Sequence, residues 1–267
     1  MATRRGTSDE MNVAVSLMSL GGLGLVGLAA GFIDTIAGGG GLLTVPSLLL
    51  AGLPAISALA TNKLQGSCGT FIASATMIAQ KQVAPRTLMW AFVASFAGSI
   101  VGCVLVQRAP PRALDVVIPI VLAGIAFYYL VNKTAGEHPG QPRIGNWPYR
   151  LLVVPAIGFY DGFLGPGTGS FFGLAGVALR GQTLIGATAS AKLLNFASNL
   201  AALLGFLAGG RIVWLVGLAM LLGQVVGAYL GAHVVIRGGA RLIRPLIVIM
   251  CVGMLARYAW QKGFWGL

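Results

Sequence analysis

A chain of 267 residues that is 57% hydrophobic and only 9% charged, with a mean hydropathy of +0.86, has too little polar surface to coat a water-soluble globule. Its 40 glycines follow no G-X-Y period, which excludes collagen. Its net charge of +12 comes mostly from basic residues placed between apolar runs, where they report topology and not nucleic-acid binding.

The first apolar run, 12–33, follows Arg4 and Arg5 but is longer than a signal-peptide core. It reads as a retained membrane helix. A span needs about 20 apolar residues, which gives candidates at 12–37, 55–80, 87–107 and 113–132. After a polar Pro- and Gly-bearing linker at 138–147, further candidates follow at 149–165, 183–207, 212–236 and 242–261. Two apolar pieces, 42–51 and 169–179, are only about half a bilayer long as helices. Each follows a glycine-rich break: Gly38-Gly39-Gly40-Gly41 and Gly165-Pro166-Gly167-Thr168-Gly169. The expected class is an all-α polytopic membrane protein.

The halves match. Gly31-Phe32-Ile33-Asp34 aligns with Gly158-Phe159-Tyr160-Asp161, Gly38 with Gly165, and Gly40 with Gly167. After a short insertion, Lys63-Leu64 aligns with Lys192-Leu193, and Gly98 and Gly102 with Gly227 and Gly231. The expected organisation is therefore a first repeat at 1–137, a linker at 138–147 and a second repeat at 148–267. Each repeat has about four transmembrane helices plus one short broken or re-entrant helix. Counting basic residues on each side favours eight crossings with parallel repeats over a five-pass, inverted alternative. The two small-xxx-small pairs read as helix-packing surfaces.

Ionisable groups at membrane depth cost roughly 2.5–3.5 kcal/mol each even on a lenient scale, so the few present are informative. They are Asp34, Asp161, Lys63 and Lys192. They must pair, neutralise or face a wet cavity. A helix restarting after a glycine break points free N–H groups and the positive end of its dipole at the break, a ready anion site. The candidate anion-binding set is Gly38, Gly39, Gly40, Gly41, Asn62, Lys63 and Gln65 in the first half. In the second it is Gly165, Gly167, Thr168, Gly169, Ser170, Lys192 and Asn195. Lys192, Asn195 and Asn199 share one helical face. Asp34 and Asp161 are candidates for proton or ion coupling, or else structural partners of the lysines. Cys68, Cys103 and Cys251 lie in apolar stretches without a CxxC pair, and His138 and His233 stand far apart. No metal, cofactor or catalytic residue is expected.

The stretches GFIDTIAGGGGLLTVPSLLLAG at 31–52 and ATNKLQG at 60–66 resemble the TauE/SafE sulfite exporter family. So do GFYDGFLGPGTGSF at 158–171 and ASAKLLNFASN at 189–199. The resemblance implies a carrier of the bacterial cytoplasmic membrane for small sulfur-containing anions such as sulfite, sulfonates, sulfoacetate or thiosulfate. The expected reading is a secondary transporter with proton or substrate-gradient coupling, not an enzyme. An anion channel using the same site is the alternative. Expected partners are the anion and membrane lipid, with a homodimer left open and no nucleic acid. The second break departs from the first by carrying Pro166 and Thr168, so the two half-sites are chemically unequal.

Overall fold

A computed structural model describes residues 17–107, 127–128, 130–131 and 137–261. The expected span 113–132 falls almost wholly outside them, and the Cys251 side chain also lies outside. The described elements are α1 (Leu17–Ala37), α2 (Gly41–Leu50), α3 (Ala55–Ala79) and α4 (Pro85–Val106). They continue with α5 (Val154–Phe163), α6 (Thr168–Arg180), α7 (Leu184–Ala208) and α8 (Trp214–Gln261). A π-helical turn at Tyr149–Val153 leads into α5. Among the described residues, four stretches are long and apolar enough to cross a membrane: Leu20–Ala37, Pro85–Val106, Leu184–Ala208 and Trp214–Gly239. The chain is an all-α polytopic membrane protein. α3 is as long as α7 but less apolar, because it buries Thr61, Asn62, Lys63, Gln65 and Ser67.

The breaks fall where the backbone needs glycine. Gly38 has φ +78 between α1 and α2, and Gly165 and Gly167 have φ +94 and +85 between α5 and α6. A left-handed conformation costs other residues about 1–2 kcal/mol. A different glycine-only conformation at Gly239 (φ 62, ψ −165) divides α8, matching the sequence gap between 212–236 and 242–261.

Packing follows the small residues. On α1, a Cβ at Gly27 or Gly31 would lie 2.2 or 2.3 Å from a backbone oxygen of Met220 or Gln224 on α8. On α8, a Cβ at Gly223 or Gly227 would lie 2.0 Å from Gly24 or Leu28 oxygen. The same relation joins α4 and α5. Gly98 and Gly102 face Pro155 and Phe159, and Gly158 and Gly162 face Ser95 and Ser99. Without a hydrophobic drive in lipid, such close backbone approach is what holds membrane helices together. The packing role expected for Gly98, Gly102, Gly227 and Gly231 is thus the one they have.

α4 also donates in register to carbonyls of α7. Ser95 Oγ reaches Leu194 O at 2.8 Å, Ser99 Oγ reaches Ser198 O at 2.6 Å, and Cys103 Sγ reaches Ala202 O at 3.6 Å. Each acceptor is one turn further along, so the two helices run parallel. Interhelical hydrogen bonds of this kind average about 0.6 kcal/mol. Ser99→Ala is therefore expected to cost about 0.6 kcal/mol, measured by thermal unfolding in detergent micelles.

Helix directions correct the crossing number. The first turns of α1, α3 and α8 share one cluster, with Leu23, Ala58, Val213 and Val216. Their later turns share another, with Ile36, Ala37, Met77, Ala232 and Val235. These three helices run the same way. α4, α5 and α7 form the opposed set, since Ala60 of α3 meets Cys103 and Val106 late in α4 and Ala202 and Phe206 late in α7. Consecutive long helices α1 and α3 are therefore parallel, and the chain must recross between them. α2 rises about 15 Å and closes in a turn in which Leu53 N donates back to Leu48 O, so it carries the chain between the end of α1 and the start of α3. α6 does the same between α5 and α7. Each short helix therefore joins two helices that run the same way, an order that differs, among the described residues, from the one expected for an eight-crossing, parallel arrangement.

Candidate functional site

The site forms where the two glycine breaks touch. A Cβ at Gly38 would sit 2.1 Å from the backbone nitrogen of Ser170, and one at Gly169 would sit 2.5 Å from Gly38 Cα. Only glycine lets the strands of the two breaks cross this closely. Ser170 Oγ donates to Ala37 O across the crossing. Gly41 faces Pro166 Cα, 3.3 Å from where its Cβ would be. Gly39 and Gly40 accept from the first amides of α2 through their carbonyls.

Asp34, Asp161, Lys63 and Lys192 meet here, paired crosswise. Asp34, near the end of α1, lies 3.0 Å from Lys192 of α7. Asp161, near the end of α5, lies 2.9 Å from Lys63 of α3. The acid of each half takes the lysine of the other. Both lysines are 1% exposed, so bulk water scarcely reaches either charge.

The surroundings of each pair follow from the local sequence. Gly40 N donates to Asp34 Oδ1 at 3.1 Å, and Lys192 Nζ also donates to the Asp34 carbonyl. A Cβ on Gly40 would lie 2.7 Å from Asp34 Cβ, so glycine admits the carboxylate as the cap of α2. In the second half Thr168 Oγ1 donates to Asp161 Oδ1 at 2.8 Å. Lys63 Nζ donates further to Asn199 Oδ1 at 3.1 Å, and Asn199 Nδ2 to Asn195 Oδ1 at 2.9 Å. A Cβ at Gly165 would lie 2.8 Å from Lys63 Nζ, and one at Gly169 3.0 Å from Lys192 Nζ. Both ammonium groups therefore rest against the same five-residue break.

Asn62 is buried beside this centre and accepts from Thr44 Oγ1 and, at 3.4 Å, from Gln65 Nε2. A cavity of about 10 Å³, room for about one water molecule, opens beside Lys192. Gly38, Gly169, Ser170 and Thr188 line it with Lys192. Among the described residues no three His, Cys, Asp or Glu side chains gather as metal ligands would.

Thus the structure gathers Gly38, Gly169, Ser170, Lys63, Lys192, Asp34, Asp161 and Thr168 at one crossing. Asn62 and Gln65 stand on the adjoining face of α3, and Asn195 reaches the centre only through Asn199. Besides Asp161, four polar residues carry buried oxygens without a hydrogen-bond partner among the described residues: Thr35, Gln65, Gln182 and Gln224. Gln224 was visible in sequence as the one amide inside 212–236. Thr44 gave no signal, standing as one of two hydroxyls, with Ser47, in an apolar piece.

A family model described as "Sulfite exporter TauE/SafE" matches residues 23–258. The chain is 41% identical over 254 residues to a "Probable membrane transporter protein" of Haemophilus influenzae, covering 95% of this chain and 99% of that one. It is 44% identical over 248 residues to the "Probable membrane transporter protein YfcA" of Escherichia coli strain K12, covering 93% and 92%. It is 41% identical over 228 residues to the "Probable membrane transporter protein ORF9" of a Sinorhizobium species, covering 85% and 87%. No solved structure matches it.

Proposed function

The chain belongs to the sulfite exporter TauE/SafE family and is a multi-pass protein of the bacterial inner membrane, and from that premise we propose that it is a secondary transporter for a small sulfur-containing anion. Sulfite, a sulfonate, sulfoacetate or a thiosulfate-like anion fits the chemistry. Movement is by alternating access, driven by protons or by the substrate's own gradient. The two halves act as inverted repeats, 1–137 and 148–267 about the linker 138–147.

One observation carries this reading: the paired lysines and aspartates lock the halves together at the crossing of the glycine breaks. Desolvation of a buried ion pair nearly cancels its attraction, so exchanging one anionic partner for another is cheap. An anion entering beside Lys192 can replace the Asp34 carboxylate as its counter-ion, with Ser170 and Thr188 as donors. Releasing Asp34 frees the start of α2 from the contact with α7. Substrate sites between opposed repeats built on broken helices are a recurring solution in transporters. No catalytic step is proposed.

The test is uptake of radiolabelled sulfite by the purified protein in liposomes, with sulfoacetate and thiosulfate as competitors. Wild type is expected to saturate and to show counterflow. Lys192→Ala is expected to lose at least about tenfold, the effect of some 1.4 kcal/mol at the site. Flux without saturation or counterflow would make the protein a channel. Absence of uptake of any of these anions would remove the substrate class.

A further inference from the structure

We propose that Asp161, and not Asp34, carries the proton in coupled transport; this rests on the transporter reading above and assigns the coupling step to one residue. The two acids are repeat counterparts, but their oxygens are held differently. Asp34 has a donor on each: Gly40 N on Oδ1 at 3.1 Å and Lys192 Nζ on Oδ2 at 3.0 Å. Asp161 has both partners on one: the Lys63 ammonium lies 2.9 Å from Oδ1 as an ion pair, and Thr168 Oγ1 donates to the same oxygen at 2.8 Å. Its Oδ2 is buried and no donor reaches it among the described residues. Asp161 is 1% exposed and Asp34 8%.

The difference comes from the break sequences. Gly40 is right-handed helical (φ −54, ψ −41) and its N–H meets the carboxylate. Its counterpart Gly167, between Pro166 and Thr168, is left-handed (φ 85, ψ −1). The second break supplies a hydroxyl from Thr168 instead, and that hydroxyl goes to the oxygen Lys63 already holds. A bare carboxylate oxygen in a dry interior is costly. A proton placed on Oδ2 removes that cost and leaves both contacts to Oδ1 in place.

The charge balance then couples proton to anion. With both acids ionised, two lysines face two carboxylates and the site is neutral. When Asp161 Oδ2 takes a proton, the ammonium of Lys63 remains and the site has one net positive charge. A singly charged anion, such as a simple sulfonate or the singly charged form of sulfite, cancels it, so proton and anion load and leave together. The other titratable groups facing Asp161 are committed elsewhere. Lys192 is paired with Asp34, Cys103 of α4 donates to Ala202 O, and Tyr160 of the same helix donates to Pro166 O. Thr168 and Ser170 on α6 do not titrate.

Infrared difference spectroscopy of the full-length protein in liposomes, titrated through pH, reads the carboxyl directly and needs no substrate. A protonated-carboxyl band is expected in wild type and in Asp34→Asn, and its loss in Asp161→Asn. Asp161→Glu keeps the charge, and so the fold, and is expected to move the band to the glutamate position, whereas Asp34→Glu leaves it unmoved. In parallel, the ratio of sulfite uptake with and without an imposed pH gradient is expected to fall to one in Asp161→Asn. A band that survives Asp161→Asn, or that moves with Asp34→Glu, overturns the assignment. A band that follows Asp161 in a protein that takes up no sulfur anion supports the proton site and sinks the transport reading.

Discussion

Gly38→Ala is expected to destabilise the protein by roughly 3–5 kcal/mol, while Gly52→Ala, at nearly the same backbone conformation, is expected to cost only about 1–2 kcal/mol. Both glycines have positive φ, +78 and +87, so both substitutions carry the left-handed penalty. They differ in what a methyl group meets. At Gly52 nothing lies within 4 Å; at Gly38 the Ser170 nitrogen would be 2.1 Å away and the Gly169 carbonyl carbon 2.3 Å. Backbone on both sides cannot yield as a side-chain tip can. Relief requires the two breaks to separate, which also stretches the bond from Ser170 Oγ to Ala37 O. Gly165→Ala is the instructive intermediate. Its closest obstacle is Lys63 Nζ, a flexible end that moves only by loosening its grip on Asp161. Thermal unfolding of the three variants in one detergent checks the ranking. Equal losses at Gly38 and Gly52 would mean that the breaks do not cross as described.

The crossing is also where sequence reading reached its limit. Charge, glycine and the two-fold match marked Asp34, Asp161, Lys63 and Lys192 as the informative residues, because charges at membrane depth need a reason. Which acid meets which lysine was not legible. Pairing within each half and pairing across the halves obey the same repeat offset, so the match cannot choose between them. The choice is made by helix direction, which puts the end of α1 beside α7 and the end of α5 beside α3. Direction is hard to read from charge because the basic residues are nearly balanced. Arg180, Arg211 and the cluster Arg237, Arg241 and Arg244 change sides between the two topologies without producing a strong excess in either. A better signal was present in the glycines. Gly24, Gly27 and Gly31 on α1 answer Gly223 and Gly227 on α8, as Gly158 and Gly162 on α5 answer Gly98 and Gly102 on α4. Such stripes bring backbones together, but periodicity alone does not say which stripe meets which. Asn199 became part of the site for a similar reason. Its helical face was visible, but its bond to Lys63 depends on the antiparallel seating of α7 on α3.

Lys63→Met is expected to be the more damaging of the two lysine replacements, at about 3–5 kcal/mol, and the double variant Lys63→Met/Asp161→Leu is expected to recover most of that loss. Removing Lys63 leaves Asp161, 1% exposed, with Thr168 as its sole donor among the described residues and Asn199 without its donor from α3. Removing both charges instead trades two desolvation costs for apolar packing, an exchange that is often neutral. Once the carboxylate is replaced, Thr168 can turn its one hydroxyl proton to Gly165 O, 2.7 Å away, so the restart of α6 survives in the double variant. Lys192→Met leaves a better-supported acid. The Asp34 side chain is 12% exposed and keeps the N–H of Gly40. Unfolding of wild type, the two single Lys63–Asp161 variants and the double variant closes a cycle whose coupling term isolates the pair. A coupling near zero would show that Lys63 and Asp161 stand side by side without holding the halves. A double variant that folds but moves no anion, beside Lys63→Met that barely folds, would separate the two tasks. The pair's contribution to stability is then replaceable by any well-packed apolar pair, and its charges persist because transport needs them.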